Sequence, residues 1–137
     1  MKKLFFPLLA VVLLFAGCRK DPDIVNITQV GSEVLSFQYD VRSYQWRLDN
    51  DCYVAECTVP EITQDVFNHG AVMVYVWNGD WYALPYVYPF PVDNIIVPEN
   101  IRFQWNVGVV RLVMQDLDAY APAAPTDMSF KICVVRN

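Results

Sequence analysis

The chain has 137 residues, 55% of them hydrophobic and 15% aromatic, with ten basic against fifteen acidic side chains, one histidine and four cysteines. That length suits one domain with a sizeable core, and a net charge of −5 excludes a surface that holds nucleic acid or anionic headgroups by charge. A single histidine and the absence of C-x-x-C leave no ligand set for a zinc site.

The N-terminus reads MKKLFFPLLAVVLLFAGCRK, in which Lys2 and Lys3 precede an apolar run from Leu4 to Ala16. This is the layout of a secretory signal, too short for a membrane-spanning helix. Phe15-Ala16-Gly17-Cys18 resembles a bacterial lipobox, with Phe15 in the place usually held by leucine. The resemblance implies cleavage before Cys18 and acylation of that residue by several chains, palmitate among them, which suffices for durable anchoring. Residues 1–17 are then the signal peptide and 18–30 the lipidated N-terminus and tether. Arg19 stands where an aspartate holds many such lipoproteins at the inner membrane, so the resemblance implies the outer membrane. Asp21 and Asp23 loosely resemble acidic tags that send some of them to the cell surface, although a solvated tether reads the same way. Cleavage leaves 120 residues with eight basic and fifteen acidic side chains, a formal charge of −7.

Beyond the tether, apolar residues recur with period two rather than 3.6, which predicts strands. Phe37, Tyr39 and Val41 alternate with polar neighbours, and the phase then flips to Tyr44, Trp46 and Leu48, which predicts a bulge or corner near Ser43. Asp49-Asn50-Asp51 supplies a turn before a strand from Cys52 to Val59. The segment PEITQDVFNHG breaks the alternation: Thr63 is placed to cap a short helical turn and Gly70 to end it in a left-handed conformation. Ala71 to Asn78 and Trp81 to Tyr88 flank Asn78-Gly79, a strong hairpin signal. Pro85, Pro89 and Pro91 predict that the second of these strands ends early or lies at a sheet edge.

Farther on, Ile101, Phe103, Trp105 and Val107 mark a half-buried strand, and Asn106 to Gly108 form a turn. Val110, Leu112 and Met114 face inward against Arg111 and Gln115. A Pro-rich loop from Asp118 to Asp127 precedes a closing strand from Ser129 to Arg136. About seven to nine short strands with one short helical turn predict an all-β fold, an antiparallel β-sandwich over residues 31–137. The residues Ile62, Thr63, Val66, Gly70, Ala71, Val72, Val74 and Tyr75, followed by Trp81, Leu84, Pro85 and Tyr86, resemble a segment of short lipoproteins of Gram-negative bacteria. That resemblance implies a β-sandwich and no particular activity.

Catalytic signatures are missing: the sequence has no G-x-S-x-G, no glycine-rich phosphate loop and no H-E-x-x-H. His69 reads as a cation at a helix C-terminus. Asp49 and Asp51 offer too few oxygens for calcium and read as turn formers. Glu56 is expected to point to solvent or to meet Lys131 across a sheet. With Cys18 acylated, Cys52, Cys57 and Cys133 are either buried free thiols or include one bridge to Cys133. No metal or cofactor is implied, and the chain does not read as an enzyme.

Aromatic residues remain, seventeen of them after signal cleavage. A two-residue Asn78-Gly79 loop sets Val76 opposite Trp81 and Tyr75 opposite Tyr82. Val72, Val74, Val76, Ala83 and Trp81 then form a core face. The opposite, wetter face carries Met73, Tyr75, Trp77, Asp80, Tyr82, Leu84 and Tyr86. A loop (Pro89 to Val92 or Asp118 to Asp127) covers that face, or Tyr75, Trp77, Asp80, Tyr82 and Tyr86 meet a ligand or partner there. The expectation is a non-catalytic, lipid-anchored outer-membrane lipoprotein, facing either the cell surface or the periplasm, that serves as a binding or structural accessory. The alternative is a glycan-binding lipoprotein that stacks sugar rings on the aromatic face. Partners are the membrane, through Cys18, and a glycan or another surface protein, not nucleic acid.

Overall fold

The computed structural model describes residues 31–117 and 124–137, in which the alternating segments form nine strands, all paired antiparallel, in two facing sheets. The segments read as signal peptide and tether, with Cys18, and part of the Asp118 to Asp127 loop lie outside the described residues. The first sheet runs β1 (Glu33–Val41), β9 (Met128–Arg136), β4 (Ala71–Trp77), β5 (Trp81–Ala83). The second runs β2 (Arg47–Asp49), β3 (Cys52–Thr58), β8 (Val109–Asp116), β7 (Ile95–Asn106), β6 (Tyr86–Val92). This is the predicted all-β sandwich.

The phase flip at Ser43 is a corner: a 3-10 turn over Ser43–Gln45 carries the chain from the first sheet to the second. Asp127 fixes it, accepting from the Ser43 N–H at 2.8 Å and from Arg42 at 3.0 Å. The Ser43 amide and then the Arg42 guanidinium hold the Asp127 carboxyl below its usual range. Trp46 follows and turns inward, its ring 6.1 Å from that of Phe130.

Between the sheets, Phe130, Ile132 and Val134 of β9 and Val72, Val74 and Val76 of β4 pack with Ala55, Cys57, Ile101, Val110, Leu112 and Met114. Because side chains alternate along a strand, the neighbours of these residues are turned outward. Glu56 therefore faces solvent as expected, but it meets Arg47 at 2.9 Å rather than Lys131, which belongs to the other sheet.

One end of the sandwich is closed by the helix α1 (Gln64–His69). Thr63 caps it, its hydroxyl accepting from the Val66 N–H at 3.3 Å, and Ile62 and Val66 are buried beneath it. His69 ends it and lies 3.0 Å from Asp65. Gly70 does not adopt the expected left-handed conformation: its φ is −97° and its ψ −164°, which is extended backbone. Glycine is needed there for space, since a Cβ would collide with the Val135 carbonyl and lie 2.9 Å from that of Val66.

The three cysteines in the described residues are free thiols on different faces. Cys57 lies in the core, Cys133 points to the outer side of the first sheet toward Ser36, and Cys52 stands at the start of β3. Burial pushes the Cys57 thiol up to about 11, so at pH 8 only about one in a thousand is thiolate. Maleimide added to the folded protein at that pH is expected to modify Cys52 first and Cys57 only after denaturant is added. Labelling of Cys57 at the rate of Cys52, read by peptide mapping, would show that the core opens.

Candidate functional site

The turn that follows β4 determines which aromatics share a face. Its loop has three residues, Asn78, Gly79 and Asp80, with Gly79 at φ 76°. The Asp80 carboxylate accepts from the Trp81 N–H at 2.8 Å, a local bond that holds the third loop residue out of the ladder. The register is therefore Trp77 opposite Trp81, Val76 opposite Tyr82 and Tyr75 opposite Ala83.

This corrects the two-residue reading by one position, and in a strand one position exchanges the faces. Trp81 and Ala83 leave the core side and join Tyr75 and Trp77 outside, while Tyr82 and Leu84 turn to the inner side. Leu84 is buried there, and its N–H reaches the Val74 carbonyl at 2.8 Å. The chain then passes through a cis Leu84–Pro85 peptide into β6, the edge of the other sheet. The prolines thus divide the predicted strand into two short edge strands. Tyr86 packs on the core and stacks with Tyr82, which is 40% exposed, their ring centroids 4.6 Å apart, so these two tyrosines bridge the sheet edges rather than join the Trp77 face.

Two tryptophans dominate the exposed outer face. Trp77 and Trp81 meet edge to face with centroids 5.2 Å apart, and Trp77 is 46% exposed. Lys131, opposite Tyr75 across the sheet, places its ammonium 4.8 Å from the centres of both the Tyr75 and Trp81 rings. Such contacts are worth about 0.5 to 1 kcal/mol at exposed sites and hold the rings in place. Beside them runs a shallow groove of about 270 Å³, lined by Gln38, Trp77, Trp81 and Ser129.

Register explains how these residues meet. Gln38 is opposite Lys131, and Asp40 is opposite Ser129. Ser129 donates to Asp40 at 2.6 Å. That bond, aided by the Gln38 amide, holds the Asp40 carboxyl below its usual range, so it is ionised at neutral pH. Local sequence carried no sign of Gln38, Asp40, Ser129 or Lys131 as site residues, because only the pairing of β1 with β9 and of β9 with β4 brings them beside the tryptophans.

The remaining polar candidates lie elsewhere. Asp49 pairs with Arg111, and Asp51 accepts from Gln115 at 3.3 Å, so the turn acids are tied to β8. Glu99 is fully buried and opposite Asp116 in the ladder. Among the described residues no cluster of three or more histidine, cysteine or acidic side chains is placed to hold a metal ion. Fold and surface together define a two-sheet β-sandwich with one solvent-facing aromatic sheet. Comparisons with protein-family models, with curated proteins and with solved structures return no match.

Proposed function

We propose that this chain is a non-catalytic binding protein, held to the outer membrane by acyl chains on Cys18, that presents the outer face of its first sheet to a partner. The observation that carries this reading is the outward indole pair of exposed Trp77 and half-buried Trp81 on a face where the other outward residues of β1 and β9 are mostly small or polar. Exposed rings held by neighbours rather than buried contribute little to the core and are available for contact.

Placement within the fold agrees. Glu33 pairs with Arg136 and Ala71 with Val135 at one end of the sheet, whereas Asp40 pairs with Ser129 and Val76 with Phe130 at the other. The chain enters β1 at the first end, and the indoles stand at the second.

The anchor and the contact face are tested separately. In cells fed a labelled fatty acid, the wild-type protein is expected to take up label, and Cys18→Ser is expected to lose both label and membrane retention. Unlabelled wild-type protein would remove the anchor. For the face, a photo-crosslinking residue replacing Trp77 is expected to trap a partner that the same residue replacing Gln104, on the other sheet, does not. Equal yields from both positions would remove the assignment of this face.

A further inference from the structure

We infer that the groove between Gln38, Ser129 and the indoles is a site for a neutral saccharide, an inference that rests on the aromatic sheet being the contact face. The first argument is the shape and polarity of the lining. Trp77 and Trp81 lie at 65° to each other, so one ring offers a face where the other offers an edge. An aromatic face carries negative charge density, and the axial C–H bonds of a pyranose present a flat, weakly positive surface to it. Next to the rings stand an amide, Gln38, and a hydroxyl, Ser129. With its proton given to Asp40, the Ser129 oxygen accepts, while the Gln38 amide both donates and accepts, as sugar hydroxyls require.

The second argument is charge. All four lining side chains are uncharged. The groove is flanked by one anion, Asp40, and one cation, Lys131, set diagonally across the β1–β9 ladder, Asp40 opposite Ser129 and Lys131 opposite Gln38. Asp40 keeps acceptor capacity beyond its bond from Ser129, because an ionised carboxylate has about four acceptor positions. Lys131 is engaged by two rings. A polyanion would meet Asp40 and an overall acidic protein, and a cationic peptide would meet Lys131. A neutral, hydroxyl-rich ligand meets neither penalty, and its hydroxyls use the amide, the serine and the carboxylate.

The test uses the acylated full-length protein in micelles of a detergent without a sugar headgroup. Tryptophan fluorescence is followed on titration with neutral hexasaccharides of glucose, mannose, xylose and N-acetylglucosamine, and with polygalacturonate and heparin as acidic probes. At least one neutral hexasaccharide is expected to bind saturably. Trp77→Ala is expected to weaken it about tenfold or more, as loss of a central ring contact does. Gln38→Ala should weaken it by a smaller factor, and Gln104→Ala should leave it unchanged. Trp77→Phe is expected to recover part of the affinity. Unchanged denaturation midpoints in these variants show that the fold is intact. Binding of the acidic probes alone, or of none, overturns the saccharide inference, and so does neutral-sugar binding that Trp77→Ala leaves intact. If none binds while the crosslinker at position 77 still traps a protein, the contact face stands and only the ligand class is wrong. If position 77 also traps nothing, both fall.

Discussion

Phe130→Ala is expected to lower the free energy of unfolding by about 3 to 5 kcal/mol, the range for truncating a fully buried ring in a core that relaxes incompletely. Phe130 is 0% exposed and lies in the main cluster beside Trp46. Against a typical domain stability of about 5 to 15 kcal/mol, the loss is large enough to be read directly from denaturant midpoints. Val34→Ala, at a position 58% exposed, supplies the contrast and should cost about 0.5 kcal/mol or less. A Phe130→Ala midpoint within error of the Val34→Ala midpoint would mean that β9 does not hold the core. The same residue matters to the groove, because Phe130 points inward between Ser129 and Lys131, which point outward. Loss of packing under β9 is therefore transmitted to both sides of the site by one strand.

Gly70→Ala is the second large effect, expected at about 1 to 3 kcal/mol of destabilisation or more. The backbone there has negative φ, so the added methyl does not strain the dihedral; it collides with backbone. Carbonyl oxygens of Val135 and Val66 are part of the ladder and of the helix end, and neither moves as a side-chain tip would. The variant must separate β4 from β9 at their shared end or unwind the last turn of α1. Chemical denaturation with circular dichroism measures the loss, and an unchanged midpoint would show that this end of the sandwich yields freely. By contrast Gly79 and Gly108 have open space for a Cβ, and their positive φ values, 76° and 74°, are what favour glycine there.

Much of the architecture was legible because a half-buried strand writes its own alternation. Phe37, Tyr39 and Val41, then Ile101, Phe103 and Trp105, and the closing segment from Ser129 are found facing as their period requires. The corner at Ser43, the cap at Thr63 and the edge placement enforced by Pro89 and Pro91 were also visible, since each depends on local backbone chemistry. Length was less visible: β7 begins at Ile95, not near Ile101, because Asp93 and Asn94, with φ of 46° and 67°, turn β6 directly into it. Prolines on both sides of that turn mask the alternation, yet they sit opposite each other in the ladder, Pro89 with Pro98.

By itself the sequence determined the strand periodicity, the order of elements and the motif at Cys18 on which the anchor proposal rests, all features set by neighbours in the chain. Tertiary structure alone decided which aromatics share a face. A strand shows the same alternation in either register, so nothing within β5 distinguishes Trp81 inside from Trp81 outside. The choice was made by Asp80 entering the loop and bonding the Trp81 amide, which shifted the pairing by one residue and turned the ring outward. Gln38, Ser129 and Lys131 reached the groove in the same way, through ladders joining segments about 55 to 100 residues apart, over distances at which local sequence pattern carries no information.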